Sequence, residues 1–122
     1  MVGRVLVVDD EPMILEMLKY LLQAEGLKVE TALSAAEGLE HLSLGEPFDV
    51  VITDHNLEGM SGPEFVREHA RRLSPAAVLV TSGDLKAHIS PHYEGLKVSS
   101  FIEKPFGLSE FIALVISLIG KT

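Results

Sequence analysis

The sequence predicts an α/β domain in which a parallel sheet is doubly wound, with helices on both faces. Three observations lead there. Short apolar runs alternate with stretches whose apolar residues recur at helical spacing, and the pair repeats five times. The clearest runs, residues 5–8 and 50–53, carry almost no polar residue, as strands covered on both faces require. Right-handed crossovers between such strands leave the doubly wound sheet as the simplest topology.

Each element has its own signal. Residues 5–8 form a short β-rich run. Met13, Ile14, Met17, Leu18, Leu21 and Leu22 then repeat at helical spacing, and Gly26 ends that helix. Residues 29–31 are a short strand candidate. Ser34 is placed to cap a helix carrying Ala35, Leu39 and Leu42 and ending at Gly45. Residues 50–53 are the second apolar strand, followed by the loop DHNLEGMSG from Asp54 to Gly62. Phe65, Val66, Ala70 and Leu73 mark the next helix. Residues 77–80 are a strand broken by TSGD. Residues 85–93 make a weak helix, because Pro91 interrupts it. Residues 99–102 are the last strand, and KPFG leads into a final helix from about Leu108.

The 122 residues suit one domain. At that length a chain buries roughly two-thirds of its surface, so a core forms without staples. The absence of cysteine excludes a disulfide framework and thiolate chemistry. A net charge of −8 argues against direct binding to nucleic acid or anionic lipid and fits a protein that handles cations or meets basic partners. The N-terminus lacks the pattern of a signal peptide, and the apolar stretch 111–119 falls short of the ~20 residues that span a bilayer. A soluble, cytoplasmic domain away from the membrane is the expectation.

The polar residues are not scattered. In an open α/β sheet, ligands bind beyond the carboxyl ends of the strands. The first strand ends in Asp9, Asp10 and Glu11, the third in Asp54, the fourth in Thr81 and Ser82, and the fifth just before Lys104. Adjacent carboxylates raise each other's cost of ionisation. A hard divalent cation shared by Asp9, Asp10 and Asp54 relieves that cost, and Mg2+ suits a site of a few carboxylates, waters and a phosphate oxygen. A cation and an ammonium around one carboxylate suit a transferring phosphoryl group, with that carboxylate as nucleophile. Singly, each residue has a plainer reading: Asp9 and Asp10 as a strand end and helix cap, Asp54 as a turn residue, Thr81 and Ser82 as caps, Lys104 as a solvated lysine. The conjunction at four strand ends favours the site.

These residues also carry a resemblance. VLVVDDEP (5–12), DVVITDHNLEGMSG (49–62), VLVTSGD (78–84) and SFIEKPF (100–106) together resemble the receiver domain of two-component response regulators, over essentially all of residues 1–122. The resemblance implies a five-stranded flavodoxin-like sheet of order 2-1-3-4-5. It implies a phosphorylation-controlled switch rather than a turnover enzyme. Asp54 takes the part of phosphoacceptor, Asp9 and Asp10 of the Mg2+-binding acids, and the backbone carbonyl of Asn56 of a further ligand. Thr81 stands as the switch hydroxyl, Phe101 as the switch aromatic and Lys104 as the phosphate-contacting lysine, with a cis bond to Pro105. The implied phosphodonor is a histidine kinase or phosphotransfer protein. The sequence departs from the family at several points. Glu58 stands where a proline is usual, so the loop is expected to be more mobile and more negative. His55 follows the acceptor at a variable position. Ser82 beside Thr81 offers a second hydroxyl. Gly83 leaves the site open to water, and Pro91 makes the fourth helix irregular.

Two rival classes stand beside this reading, the first of them on the same topology. A flavodoxin-like cofactor carrier needs a phosphate loop after the first strand, and the acidic DDEPM stands there instead. An aspartate-nucleophile phosphatase places its acids two residues apart after the first strand, whereas Asp9 and Asp10 are adjacent. The terminal GKT lacks the glycine and the following helix of a phosphate-binding loop. His88 and His92 share a helical face but straddle Pro91, and read as surface residues. No effector domain is expected within the chain. Leu108, Phe111, Ile112, Val115, Leu118 and Ile119 fill the core-facing side of the final helix. Leu114 and Ile116 flank that stripe, either as half-buried margins of a wide apolar face or as a patch, shared with the fourth helix and fifth strand, that docks a second copy or an effector.

Overall fold

The computed structural model describes residues 3–44, 47–72 and 74–120. Its strands are β1 (Arg4–Val8), β2 (Lys28–Ala32), β3 (Val50–Asp54), β4 (Ala77–Ser82) and β5 (Ser100–Glu103). Its helices are α1 (Pro12–Ala24), α2 (Ala35–Ser43), α3 (Gly62–Arg71), α4 (Lys86–Ile89) and α5 (Leu108–Ile119), and a 3-10 turn, Ser90–Tyr93, follows α4. The strands pair in parallel in the order β2-β1-β3-β4-β5, as the sequence predicts.

Alternation along the strands divides the core. Val5, Val7, Val50, Ile52, Leu79 and Ile102 face α1 and α5, where they meet Leu15, Leu18, Leu22, Phe111, Val115 and Leu118. Leu6, Val8 and Val51 face the other way, against Ala35 and Leu39 of α2 and Phe65 of α3. Val78 and Val80 pack with Val66, Ile89 and Tyr93 on that second side. Full burial of a side chain such as Phe111 or Leu22 contributes about 1.5–3 kcal/mol.

The helix ends follow local chemistry. Pro12 opens α1, where its missing N–H costs nothing. Gly26, at φ 84°, lets the chain turn back while its N–H and that of Leu27 reach the carbonyls of Gln23 and Leu22. Ser34 caps α2 by accepting from the Glu37 N–H, and Ser61 caps α3 by accepting from Glu64.

Several boundaries and faces differ from the sequence reading. β3 runs one residue further, through Asp54, and β4 two further, through Ser82, because parallel pairing continues where polar side chains obscure the apolar pattern. β2 is longer at both ends, and β5 is displaced by one residue to Ser100–Glu103. The weak fourth helix divides into α4 and the 3-10 turn at Pro91, which cannot donate into a continuing α-helix. Met13, Met17, Ala70 and Leu108 fit helical spacing yet are exposed. Met13 and Leu108 lie in the first turns of α1 and α5. Gly45 and Leu73, read as a helix stop and a helix residue, lie outside the described residues, as do Lys121 and Thr122 of the GKT ending.

Candidate functional site

The parallel sheet brings the strand ends to one edge. Asp9 follows β1 and extends its pairing, donating from its N–H to the Ala32 carbonyl at 3.1 Å. Asp54 closes β3 and stands in register with Thr81. The Lys104 N–H donates to the Ser82 carbonyl at 2.7 Å, which roots that lysine at the end of β5, and its bond to Pro105 is cis. Residues spread across most of the chain thus share one edge.

The side chains converge. Lys104 Nζ donates to Asp9 Oδ2 at 3.1 Å and to Asp54 Oδ2 at 3.2 Å. Asp9 Oδ1 accepts from the Glu11 N–H at 3.0 Å, and Asp54 Oδ1 accepts from the Asn56 N–H at 3.3 Å. Asp9 and Asp54 are buried, Asp10 is half-buried, and Glu11 and Asn56 are exposed. Carboxylate oxygens of Asp9, Asp10 and Asp54 lie within 4.8 Å of one another. The two buried acids are oriented by backbone donors, and each carboxylate oxygen retains acceptor capacity. An all-oxygen set of this charge and spacing fits a hard divalent cation.

Burial pushes the Asp54 carboxyl above its ordinary range. The Lys104 ammonium works against that shift and Asp9 adds to it. Burial also disfavours the Lys104 ammonium, but its hydrogen bond to Asp9 and the charges of Asp54 and Asp9 outweigh this and hold it above its usual value. The edge therefore carries a desolvated carboxylate beside a committed ammonium.

Thr81 and Ser82 are both buried, but they are differently placed. Thr81 stands beside Asp54 in register, whereas the Ser82 hydroxyl accepts from the Asp84 N–H at 2.9 Å and is engaged in the turn. Phe101 pairs in register with Val80 and joins the cluster around Tyr93, with ring centroids 5.5 Å apart in an edge-on contact. Gly83 is exposed. His88 bonds Asp84 on the surface at 2.8 Å, in keeping with its reading as a surface residue. His92 is exposed as well, although its ring lies 5.8 Å from that of His55.

Two features escaped the sequence reading. His69 is buried within α3, and its Nε2 has no partner among the described residues. His55 Nδ1 and the Tyr93 hydroxyl are hydrogen-bonded at 2.9 Å, which ties the loop after β3 to the 3-10 turn. For the second, strand alternation signals only the face to which His55 points, and nothing periodic places Tyr93 there. If Asp54 points to one face, the next residue points to the other.

Residues 5–116 match the family described as "Response regulator receiver domain". Among curated proteins, the chain is 33% identical over 118 residues to the transcriptional regulatory protein FixJ of Azorhizobium caulinodans, covering 95% of this chain and 54% of the relative. It is 37% identical over 109 residues to the transcriptional regulatory protein KdpE of Mycobacterium tuberculosis, covering 89% and 47%. The chain thus spans about half the length of these curated relatives. Among solved structures, a response regulator receiver domain protein of Clostridium thermocellum is 32% identical, with a TM-score of 0.85 over 98% of this chain and 96% of that one. A CheY-like receiver domain protein of Methanospirillum hungatei is 26% identical, with a TM-score of 0.91 over 99% and 96%. With the fold, the acidic edge and the family match in agreement, the chain belongs to the response regulator receiver domains, the signalling domains of two-component systems.

Proposed function

We propose that residues 1–122 form a phosphorylation-controlled switch in which Asp54 accepts a phosphoryl group from the phosphohistidine of a histidine kinase or phosphotransfer protein. The observation that carries this reading is the shared ammonium. Lys104 reaches Asp9 and Asp54 at once, so Asp54 is held beside a positive charge and an acidic neighbour at the carboxyl edge of the sheet.

In the transfer, an Asp54 carboxylate oxygen forms the new bond to phosphorus. The bond from phosphorus to the donor imidazole nitrogen breaks, and that nitrogen keeps the electron pair. Lys104 neutralises charge on the phosphoryl oxygens, a role its contact with Asp54 Oδ2 prepares. Asp9, Asp10, Asp54 and the carbonyl of Asn56 would hold Mg2+, which supplies charge neutralisation to the acids and the phosphoryl oxygens. The Thr81 hydroxyl, in register with Asp54, donates to the phosphoryl group once it is present, and Phe101 repacks in response.

The face shared by α4, β5 and α5 then meets a second copy or an effector. Its composition differs from the sequence expectation in one respect. Leu114 is half-buried against the core, so Ile116, 46% exposed, is the large outward apolar residue of α5's central turns. The proposed phosphodonor assigns the domain to the cytoplasm, and among the described residues no helix is long and apolar enough to cross a membrane.

Incubation with acetyl phosphate and Mg2+, followed by mass spectrometry, tests the acceptor. One phosphoryl group is expected on Asp54, and native yield at another residue in Asp54→Ala overturns the assignment. Titration calorimetry tests the metal site: Asp10→Ala should fold normally and lose Mg2+ binding.

A further inference from the structure

Strand alternation sends Asp54 and His55 to opposite faces of the sheet. The His55 backbone continues the β3–β4 ladder, its N–H donating to the Thr81 carbonyl at 2.9 Å. Its own carbonyl accepts from the Gly62 N–H at 3.0 Å, at the start of α3. Its ring meets Tyr93 on the second face. His55 is therefore held from three directions, by β4, by α3 and by the 3-10 turn.

Tyr93 is buried, and its contacts are specific. Its hydroxyl bonds His55 Nδ1 at 2.9 Å, and its ring stands edge-on to Phe101. Gly62 leaves room for this arrangement. A Cβ there would meet the Tyr93 hydroxyl and would come within 2.9 Å of the His55 backbone. By register, Thr81 pairs with Ile102 and Phe101 with Val80. Alternation thus places the Thr81 and Phe101 side chains on opposite faces. His55, Tyr93 and Phe101 lie on one face, joined by a hydrogen bond and a ring contact.

We propose that Tyr93 is a positioning residue that couples Asp54 to Phe101 through His55, giving this receiver a second route from the acceptor to the α4–β5 surface. The proposal rests on Asp54 as acceptor. A phosphoryl group that shifts the end of β3 moves the His55 backbone, and the hydrogen bond carries that displacement to the 3-10 turn. The Tyr93 ring then carries it to Phe101. Coupling of this kind is reciprocal, so the position of the 3-10 turn also biases the acceptor. A ligand seated on the α4–β5 surface would alter phosphoryl affinity along the same contacts.

The test uses the whole chain with Mg2+ and beryllofluoride as the phosphoryl mimic, read by NMR at Asp54, Phe101 and residues 86–93. Tyr93→Phe keeps the ring and removes only the hydroxyl. It should bind beryllofluoride and shift at Asp54, yet lose most of the shift at residues 86–93. His55→Leu should behave alike, His55→Asn, which places an amide near Nδ1, should restore the response, and the double variant His55→Leu/Tyr93→Phe should be no worse than either single one. A full wild-type response in Tyr93→Phe overturns the relay alone. Failure of His55→Asn to recover, or additive losses in the double variant, also overturns it, because the contact then acts only as packing. A wild type that takes up no beryllofluoride overturns the acceptor assignment and the relay with it.

Discussion

Asp54 and His69 show how one physical cost, burial of a titrating group, takes two forms. Burial raises the Asp54 carboxyl, so its ionised form is costly to the fold at neutral pH, and the cost fades as pH falls through the raised value. Asp54→Asn should therefore raise stability by about 1 kcal/mol in urea unfolding at pH 7.5 without metal. Added Mg2+ should stabilise the wild type and narrow that gap. His69 lies in the opposite direction. Burial lowers its pKa below 6.5, so the unfolded chain binds the proton more readily. Its neutral form supports the fold fully above that value, and stability is lost as pH falls from 6.5 toward the lowered folded value. His69→Leu removes a buried nitrogen that lacks a partner among the described residues. It should gain about 1 kcal/mol at pH 7.5, and the gap to wild type should widen at pH 5.5. The same pH slope of urea midpoints in wild type and His69→Leu would show that folding does not lower the His69 pKa.

At the scale of elements, α3 and α5 carry the sharpest expectations. α3 begins at Gly62, where a Cβ would press on the His55 backbone and the Tyr93 hydroxyl. Gly62→Ala should cost about 1–3 kcal/mol by thermal unfolding and should displace the 3-10 turn. α5 presents Ile116 outward. If that surface docks a second copy, sedimentation of wild type with Mg2+ and beryllofluoride should show dimers that Ile116→Glu abolishes, while a monomeric wild type at high concentration excludes self-docking. The elements themselves were largely legible. Apolar runs and caps such as Ser34 mark where the chain must be strand or helix. Their ends were less legible, because the last residues of β3 and β4 are polar: Asp54, Thr81 and Ser82 pair through backbone, while the Asp54 carboxylate joins the edge and the Ser82 hydroxyl serves the following turn. Helical faces were misread in the first turns of α1 and α5, where Met13 and Leu108 are exposed, since spacing reports direction and not whether a neighbour covers the residue.

For the whole molecule, the acidic edge could be anticipated because parallel topology brings the carboxyl end of every strand to one side. Asp9, Asp10, Asp54, Thr81 and Lys104 could be assigned to a common edge before any distance was known. The tie between His55 and Tyr93 could not, because the 3-10 turn that positions Tyr93 follows no periodicity. The span of the acidic edge also has a consequence for the protein's birth. Lys104 meets Asp9 across 95 positions and Asp54 across 50. On the ribosome the three acids are made long before their ammonium emerges, and the fifth strand must dock before the cluster is neutralised. A nascent chain halted before Lys104 should therefore lean on divalent ions far more than a chain in which the fifth strand has docked and Lys104 has reached Asp9 and Asp54.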